Sequence, residues 1–236
     1  MAKSTDIVLV WYGDRTELDR CIASIEMHCR DYGLIVIDNN IVNRGFTKAV
    51  NEGIKLGQSD YIWLINQDAV VLDGAQQALI YRFSQNNKVG IVGSMQLDPD
   101  NPDMIRHGGT LRAFPAGAHK GGYVSMGHCQ IPSKETWVNF ASVMLRRSMV
   151  KTIGPLDERM FLLYSDSDYC YWARRNGWEV WYEPRSRVLH KLKASRGVTE
   201  WHQKDMLAFM KKWGIVPISE NQFQYSREFR NLDLLP

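Results

Sequence analysis

Tyr61-Ile62-Trp63-Leu64-Ile65-Asn66-Gln67-Asp68 decides the reading of this chain: an unbroken apolar run, rich in β-branched and aromatic side chains, that passes straight into two amides and a carboxylate. A run this short, between turn residues, reads as a buried strand over 61–65, and Asp68 then stands at its carboxyl-terminal mouth. Immediately upstream, Phe46, Ala49, Val50, Gly53 and Ile54 form a helical stripe that stops near Gly57. Downstream, Gly74 to Asn87 reads as a helix and Val89 to Val92 as the next strand. Further out lie the strands Leu34 to Ile37 and Ile7 to Trp11. Between them Thr16 and Asp19 suggest a capping box, with Leu18, Cys21, Ile22, Ile25 and Cys29 on one helical face. The pattern is βαβαβαβ and predicts an α/β fold with a parallel sheet.

Ligands of such sheets bind beyond the carboxyl ends of the strands, here near Trp11 to Asp14, Asp38 to Asn40 and Asn66 to Asp68. From Asp98 to Lys134 the pattern gives way to Pro, Gly and His, a stretch long enough to predict a functional loop region. Trp137 to Arg146 regains strand character and Asp168 to Asn176 reads as a short helix. Trp178 to Tyr182 and Arg187 to His190 read as two more strands, and Thr199 to Trp213 as a final helix. No linker or repeat divides the chain, so 1–97 and 98–236 read as two halves of one domain.

Composition narrows the function classes. The 236 residues are 44% hydrophobic and 11% aromatic, which excludes a disordered or fibrous chain. A net charge of +3 is too small for nucleic acid as a partner. The four Cys are widely spaced with no CxxC, which argues against zinc fingers and disulfide scaffolds. No apolar run approaches the roughly 20 residues of a membrane span. A cytoplasmic location is the expectation, with peripheral attachment to a membrane left open; the oligomeric state is not legible.

Several residues carry chemistry. Asp68 suits Mg²⁺ or Mn²⁺, which take one or two carboxylates and complete their shell with phosphate oxygens and water; it equally suits a turn or a helix cap. Asp38 and Asn40 offer acceptors and donors for a base edge or a ribose. Arg44 and Gly45 open a helix whose free amides can face an anion. Neither GxGxxG nor GxxxxGK[ST] is present. Asp166 and Asp168 stand two apart where a helix begins, so one is expected to cap, with Asp168 as the cap, and the other to serve as a base. Arg185, Arg187, His190, Lys191, Lys193 and Arg196 form a basic cluster able to neutralise a diphosphate, with His190 a second metal candidate.

Together these segments resemble the family 2 nucleotide-sugar glycosyltransferases of GT-A fold, rhamnosyltransferase-like members included. The resemblance rests on Ile37-Asp38-Asn39, on Asn43-Arg44-Gly45-Phe46 running through to Asn51-Glu52-Gly53, and on Asp60-Tyr61 with Asn66-Gln67-Asp68 as a variant of the DxD motif. Ile105-Arg106-His107-Gly108-Gly109, Gly154-Pro155-Leu156-Asp157-Glu158-Arg159-Met160-Phe161 and Val188-Leu189-His190 continue it in order. The chain departs from the family in having Ser165-Asp166 for the common Glu-Asp pair, Trp11-Tyr12-Gly13 for Thr-Tyr-Asn, a shortened Asn40-Ile41-Val42, and Phe140-Ala141-Ser142 for a Gly-Ala pair.

The resemblance implies a GT-A fold, with a Rossmann-like, mostly parallel sheet, an acceptor-side loop region and a C-terminal helix, in which 1–97 is the nucleotide-sugar-binding half and 98–236 the acceptor-binding and catalytic half. It implies inverting transfer of a hexosyl or deoxyhexosyl group from a UDP- or dTDP-sugar to a hydroxyl acceptor such as a glycan. Asp166 is then the general base. Trp11, Tyr12, Asp38, Asn40, Arg44, Gly45, Asn66, Lys191, Lys193 and Arg196 take the donor, Asp68 and His190 hold Mn²⁺ or Mg²⁺, and His107, Ser142 and Trp137 face the acceptor. The rivals are a noncatalytic nucleotide- or sugar-binding module and a nucleotidyltransferase; the latter lacks a glycine-rich basic loop after its first strand.

Overall fold

A computed structural model describes residues 4–112, 114, 118–191, 199–220 and 222–234. The chain runs β1 (Thr5–Trp11), α1 (Arg15–His28), β2 (Tyr32–Asp38), α2 (Phe46–Leu56), β3 (Tyr61–Asn66), β4 (Ala69–Val71), α3 (Ala75–Gln85) and β5 (Val89–Leu97). The loop region that follows holds only the short β6 (Ile105–His107), β7 (Thr110–Arg112), β8 (Ala118–His119) and β9 (Ser133–Lys134). Then come β10 (Ser142–Arg146), α4 (Arg147–Ile153), α5 (Ser165–Arg175), β11 (Glu179–His190) and α6 (Thr199–Trp213). The chain closes with the hairpin β12 (Val216–Ser219) and β13 (Gln222–Gln224) and with α7 (Arg227–Leu234), so α6 is not the final helix.

The main sheet has the order β2-β1-β3-β10-β5-β11-β4. β1, β2, β3, β5 and β11 run parallel, whereas β10 enters antiparallel between β3 and β5, and β4 pairs antiparallel with β11. The parallel order expected of the first strands holds for β1, β2, β3 and β5, and the sheet is mostly parallel as the resemblance implies; the antiparallel β10 and β4 are what the alternation does not show. Hydrophobic periodicity reports which residues are buried, not which distant strand lies alongside, and β10 reaches β3 from nearly eighty positions away. The strands expected over 178–182 and 187–190 are one, β11, interrupted by a register shift between Glu183 and Arg187 where Pro184 has no N–H to give.

Both sheet faces are covered. Ile7, Leu9, Trp63 and Ile65 meet α1 and α3 through Leu18, Ile25, Leu79 and Phe83, while Val8, Ile62 and Leu64 meet α2, α4 and α5 on the other side. Side chains alternate along a strand, so β1 feeds both cores, each buried Leu or Ile contributing about 1.5–3 kcal/mol. α1 is capped by Asp14, whose carboxylate accepts the Thr16 N–H at 2.8 Å; the box expected at Thr16 lies two residues too far into the chain.

Candidate active site

Because β1, β2, β3 and β11 are parallel, Trp11, Asp38, Asn66 and His190 arrive at one rim of the sheet. Side-chain amides lash the rim loops together. Gln67 pairs with the Tyr12 backbone as a peptide would, accepting its N–H at 2.6 Å and donating to its carbonyl at 2.8 Å. Asn40 accepts the Gly13 N–H at 2.7 Å and donates to Asp38 Oδ1 at 2.9 Å. Hydrogen bonds from Asn40, through its backbone N–H and its side chain, hold the Asp38 carboxyl below the usual carboxylate range.

Two connected cavities open on this rim and share Phe46, Asn66, Asp68 and Leu162. The larger, about 580 Å³, is walled by Tyr12, Asn39, Asn43, Gly45, Phe161 and Trp201. The smaller, about 280 Å³, carries Asn139, Tyr164, Asp166 and His190. Gly45 sits between the loops at φ +83°, and a Cβ there would lie 2.6 Å from both the Phe161 ring and the Phe161 carbonyl oxygen. No larger residue fits that approach.

Asp166 lies in the first turn of α5, after Tyr164 at φ +63° in the left-handed region. Its Oδ1 accepts the Ser167 N–H at 2.7 Å, so it occupies free amides of the turn without being the cap residue itself. Burial pushes its pKa up to about 6, against the opposing pull of the Ser167 amide and hydroxyl. A carboxyl poised there suits proton abstraction near neutral pH. Asp168, expected as the cap, instead accepts from Trp213 Nε1 at 2.9 Å and from Lys212 Nζ at 2.7 Å. It fastens α6 to α5, and burial raises its pKa.

Asp68 Oδ1 lies 3.4 Å from His190 Nε2, across the antiparallel pairing of Ala69 with His190. Among the described residues no group of three or more His, Cys, Asp or Glu converges as a metal site, so this pair supplies at most two protein ligands. A carboxylate and an imidazole nitrogen on one cavity wall would suit a divalent ion that takes few protein ligands and completes its shell with phosphate and water.

The remaining expected residues divide. Tyr12, Gly45 and Asn66 line the larger cavity, but the wall beside them is built from Asn39 and Asn43, while Asp38, Asn40 and Trp11 brace the loops behind it. Arg44 donates to Glu52 at 2.5 Å and to the Asp38 carbonyl at 3.0 Å, a brace for the same turn. Lys191 pairs at the surface with Asp100, and Lys193 and Arg196 lie outside the described residues. The acceptor candidates are all buried. Ser142 is wholly buried and bonded to Trp63 Nε1 and Ser94, Trp137 is in the core, and His107 is fully enclosed against His119 at 2.8 Å. Burial also drives the His107 pKa well down.

Residues far along the chain complete the site. The Asp205 carboxylate on α6 accepts three successive N–H groups, from Phe161 at 2.7 Å, Leu162 at 2.8 Å and Leu163 at 2.7 Å, and so shapes the loop that leads to Asp166. Trp201 stacks on Phe161 with centroids 3.9 Å apart. Neither was marked by sequence reasoning, since an Asp and a Trp on a helical stripe look like any others.

A family model described as "Glycosyltransferase like family 2" matches residues 2–209. The chain belongs to that family. Similar curated proteins are the N-acetylglucosaminyl-diphospho-decaprenol L-rhamnosyltransferases of Mycobacterium tuberculosis strains CDC 1551 / Oshkosh and ATCC 25618 / H37Rv. Each is 24% identical over alignments covering 81% of this chain and 77% of the relative. Among solved structures, GalNAc-T7 with UDP, GalNAc and Mn²⁺ superposes with a TM-score of 0.69 at 12% identity, over 89% of this chain and 48% of that one. This chain thus spans about half the length of that neighbour, and the likeness shows a GT-A fold. No helix among the described residues is long and apolar enough to cross a membrane.

Proposed function

We propose that this family 2 glycosyltransferase moves a sugar from a UDP- or dTDP-sugar to a hydroxyl acceptor with inversion at the anomeric carbon, Asp166 acting as general base. One observation carries the reading: a carboxyl with pKa near 6 and the Asp68–His190 pair face the same 280 Å³ cavity, which opens into a larger one at the strand ends.

The nucleoside occupies the larger cavity, against Tyr12, Asn39, Asn43 and the Phe161–Trp201 stack. The rigid amide ties among the first three loops keep that wall preorganised. Asp68 stands on the shared wall, where the diphosphate passes from one cavity to the other. Asp68 and His190 would hold a divalent ion, which when bound offsets charge on the departing diphosphate. The Mn²⁺ present with GalNAc-T7 supports a divalent ion in this fold, not the identity of its ligands here.

Asp166 takes the proton of the acceptor hydroxyl as its oxygen bonds to the anomeric carbon and the bond to the diphosphate oxygen breaks. Asp205, by fixing the amides of 161–163, sets where Asp166 stands relative to that carbon. The mycobacterial relatives make a deoxyhexose a leading donor sugar and a lipid-linked saccharide a leading acceptor. Calorimetry of UDP and dTDP with and without Mn²⁺ tests the donor half. Asp68→Ala should abolish the Mn²⁺-dependent part of nucleotide affinity, and unchanged affinity would sink the role of Asp68.

A further inference from the structure

The polarity of the hydrogen bonds behind His190 is set by a backbone amide. The Ala141 N–H can only donate, and it meets Asn139 Oδ1 at 2.9 Å, so that atom is the oxygen of the side-chain amide. Gln96 meets the same oxygen at 3.1 Å and must do so with its NH₂ group. This turns Gln96 Oε1 toward His190 Nδ1, 3.1 Å away. An amide oxygen only accepts, so Nδ1 carries the proton. The remaining ring nitrogen, Nε2, faces Asp68 Oδ1 at 3.4 Å.

Gln96 is fully buried, so its side chain has no solvent as an alternative partner, and His190, 5% exposed, meets it on the Nδ1 side. In the neutral ring, Nε2 turns a lone pair toward the carboxylate. Two acceptors then face each other, which suits a shared cation and does not suit a direct hydrogen bond.

We propose that Gln96 is a positioning residue that locks His190 in the Nδ1–H tautomer and so reserves Nε2 as a cation ligand beside Asp68. This rests on the divalent-metal reading given above. The relay from Ala141 through Asn139 and Gln96 to His190 links the chain entering β10 to the middle of the sheet and the end of β11. It thereby sets the ligand's donor atom through the ring nitrogen turned away from Asp68.

Nitrogen-15 NMR of the metal-free protein reads the ring directly. The expected result is a proton on His190 Nδ1; a ring protonated on Nε2 alone overturns the assignment. In Gln96→Leu the Nδ1 proton loses its acceptor, and the neutral ring is expected to present Nε2–H to Asp68. Mn²⁺ affinity in the presence of UDP, read by electron paramagnetic resonance, should then fall about 10- to 100-fold. Gln96→Glu, buried and so favoured as the neutral acid, keeps a carbonyl oxygen facing Nδ1 and an O–H for Asn139 Oδ1, and should bind Mn²⁺ at least as well as the wild type. An unchanged affinity in Gln96→Leu, or an equal loss in Gln96→Glu, overturns the role of Gln96. Wild-type protein that binds no Mn²⁺ with UDP overturns the metal reading and the ligand half of this proposal. An Nε2–H ring with intact Mn²⁺ binding overturns the role of Gln96 alone.

Discussion

Replacing Asp166 by Asn separates a base from a helix-turn acceptor, because the two roles predict opposite outcomes in rate and in stability. The Asn side chain keeps an oxygen for the Ser167 N–H, now received at 2.7 Å, so the first turn of α5 should survive. It cannot take a proton, and base catalysis typically contributes about 10²- to 10⁴-fold, so kcat should fall by that order while nucleotide affinity holds.

Stability carries a second signature. Burial raises the Asp166 pKa from 3.8 to about 6, and each unit corresponds to about 1.4 kcal/mol. The wild-type carboxyl contributes most below its unfolded value, near pH 4, and that contribution is lost as pH rises through about 6. Asn does not titrate. Between pH 4 and pH 8 the stability of the variant relative to wild type should therefore improve by about 2 kcal/mol, after allowance for the part of the side chain open to the cavity. Urea unfolding at the two pH values measures this, beside a sugar-transfer assay. Near-wild-type turnover in the variant would refute the base assignment, and a stability difference that does not change with pH would refute the buried, elevated carboxyl.

Other outcomes follow from the same geometry. Wild-type kcat should rise tenfold per pH unit below about 6 and level off above it, since the base works ionised; a profile flat from pH 5 to 8 would contradict this. Asp205→Ala strands the Phe161, Leu162 and Leu163 amides and should cost about 1–3 kcal/mol in a urea melt, with kcat falling more than nucleotide affinity. Gly45→Ala forces a Cβ to 2.6 Å from Phe161 at positive φ and should weaken UDP binding at least tenfold by calorimetry. Asp168→Ala breaks the buried contact with Lys212 and Trp213 and should destabilise the fold by about 3 kcal/mol.

What the sequence disclosed was local. The strand ends at Trp11, Asp38 and Asn66 are readable because each apolar run terminates within a residue or two of a polar turn, and in parallel strands those termini must share a rim. Asp166 is readable because a carboxylate just inside a helix start is a confined position. The expected acceptor residues lie inside the core, and their burial is not legible from residue type. Ser142 and His107 are polar, but their hydrogen-bonding capacity is met inside the core by Trp63, Ser94 and His119, and polarity alone does not say whether a partner waits indoors. The antiparallel insertion of β10 and the grip of Asp205 on 161–163 join segments some forty to eighty positions apart, and no short-range pattern records them. The same holds for Gln96, whose importance lies in the direction of a hydrogen bond.

The central claim is that one cavity holds the donor diphosphate between Asp68, His190 and Asp166. Crystals soaked with Mn²⁺ and UDP or dTDP, with data collected at the manganese absorption edge, test it most directly. The account predicts an anomalous peak within coordination distance of Asp68 and His190, with the diphosphate bound there and its terminal phosphate toward Asp166. A nucleotide lodged elsewhere on the sheet rim, or a manganese peak remote from both residues, would contradict it.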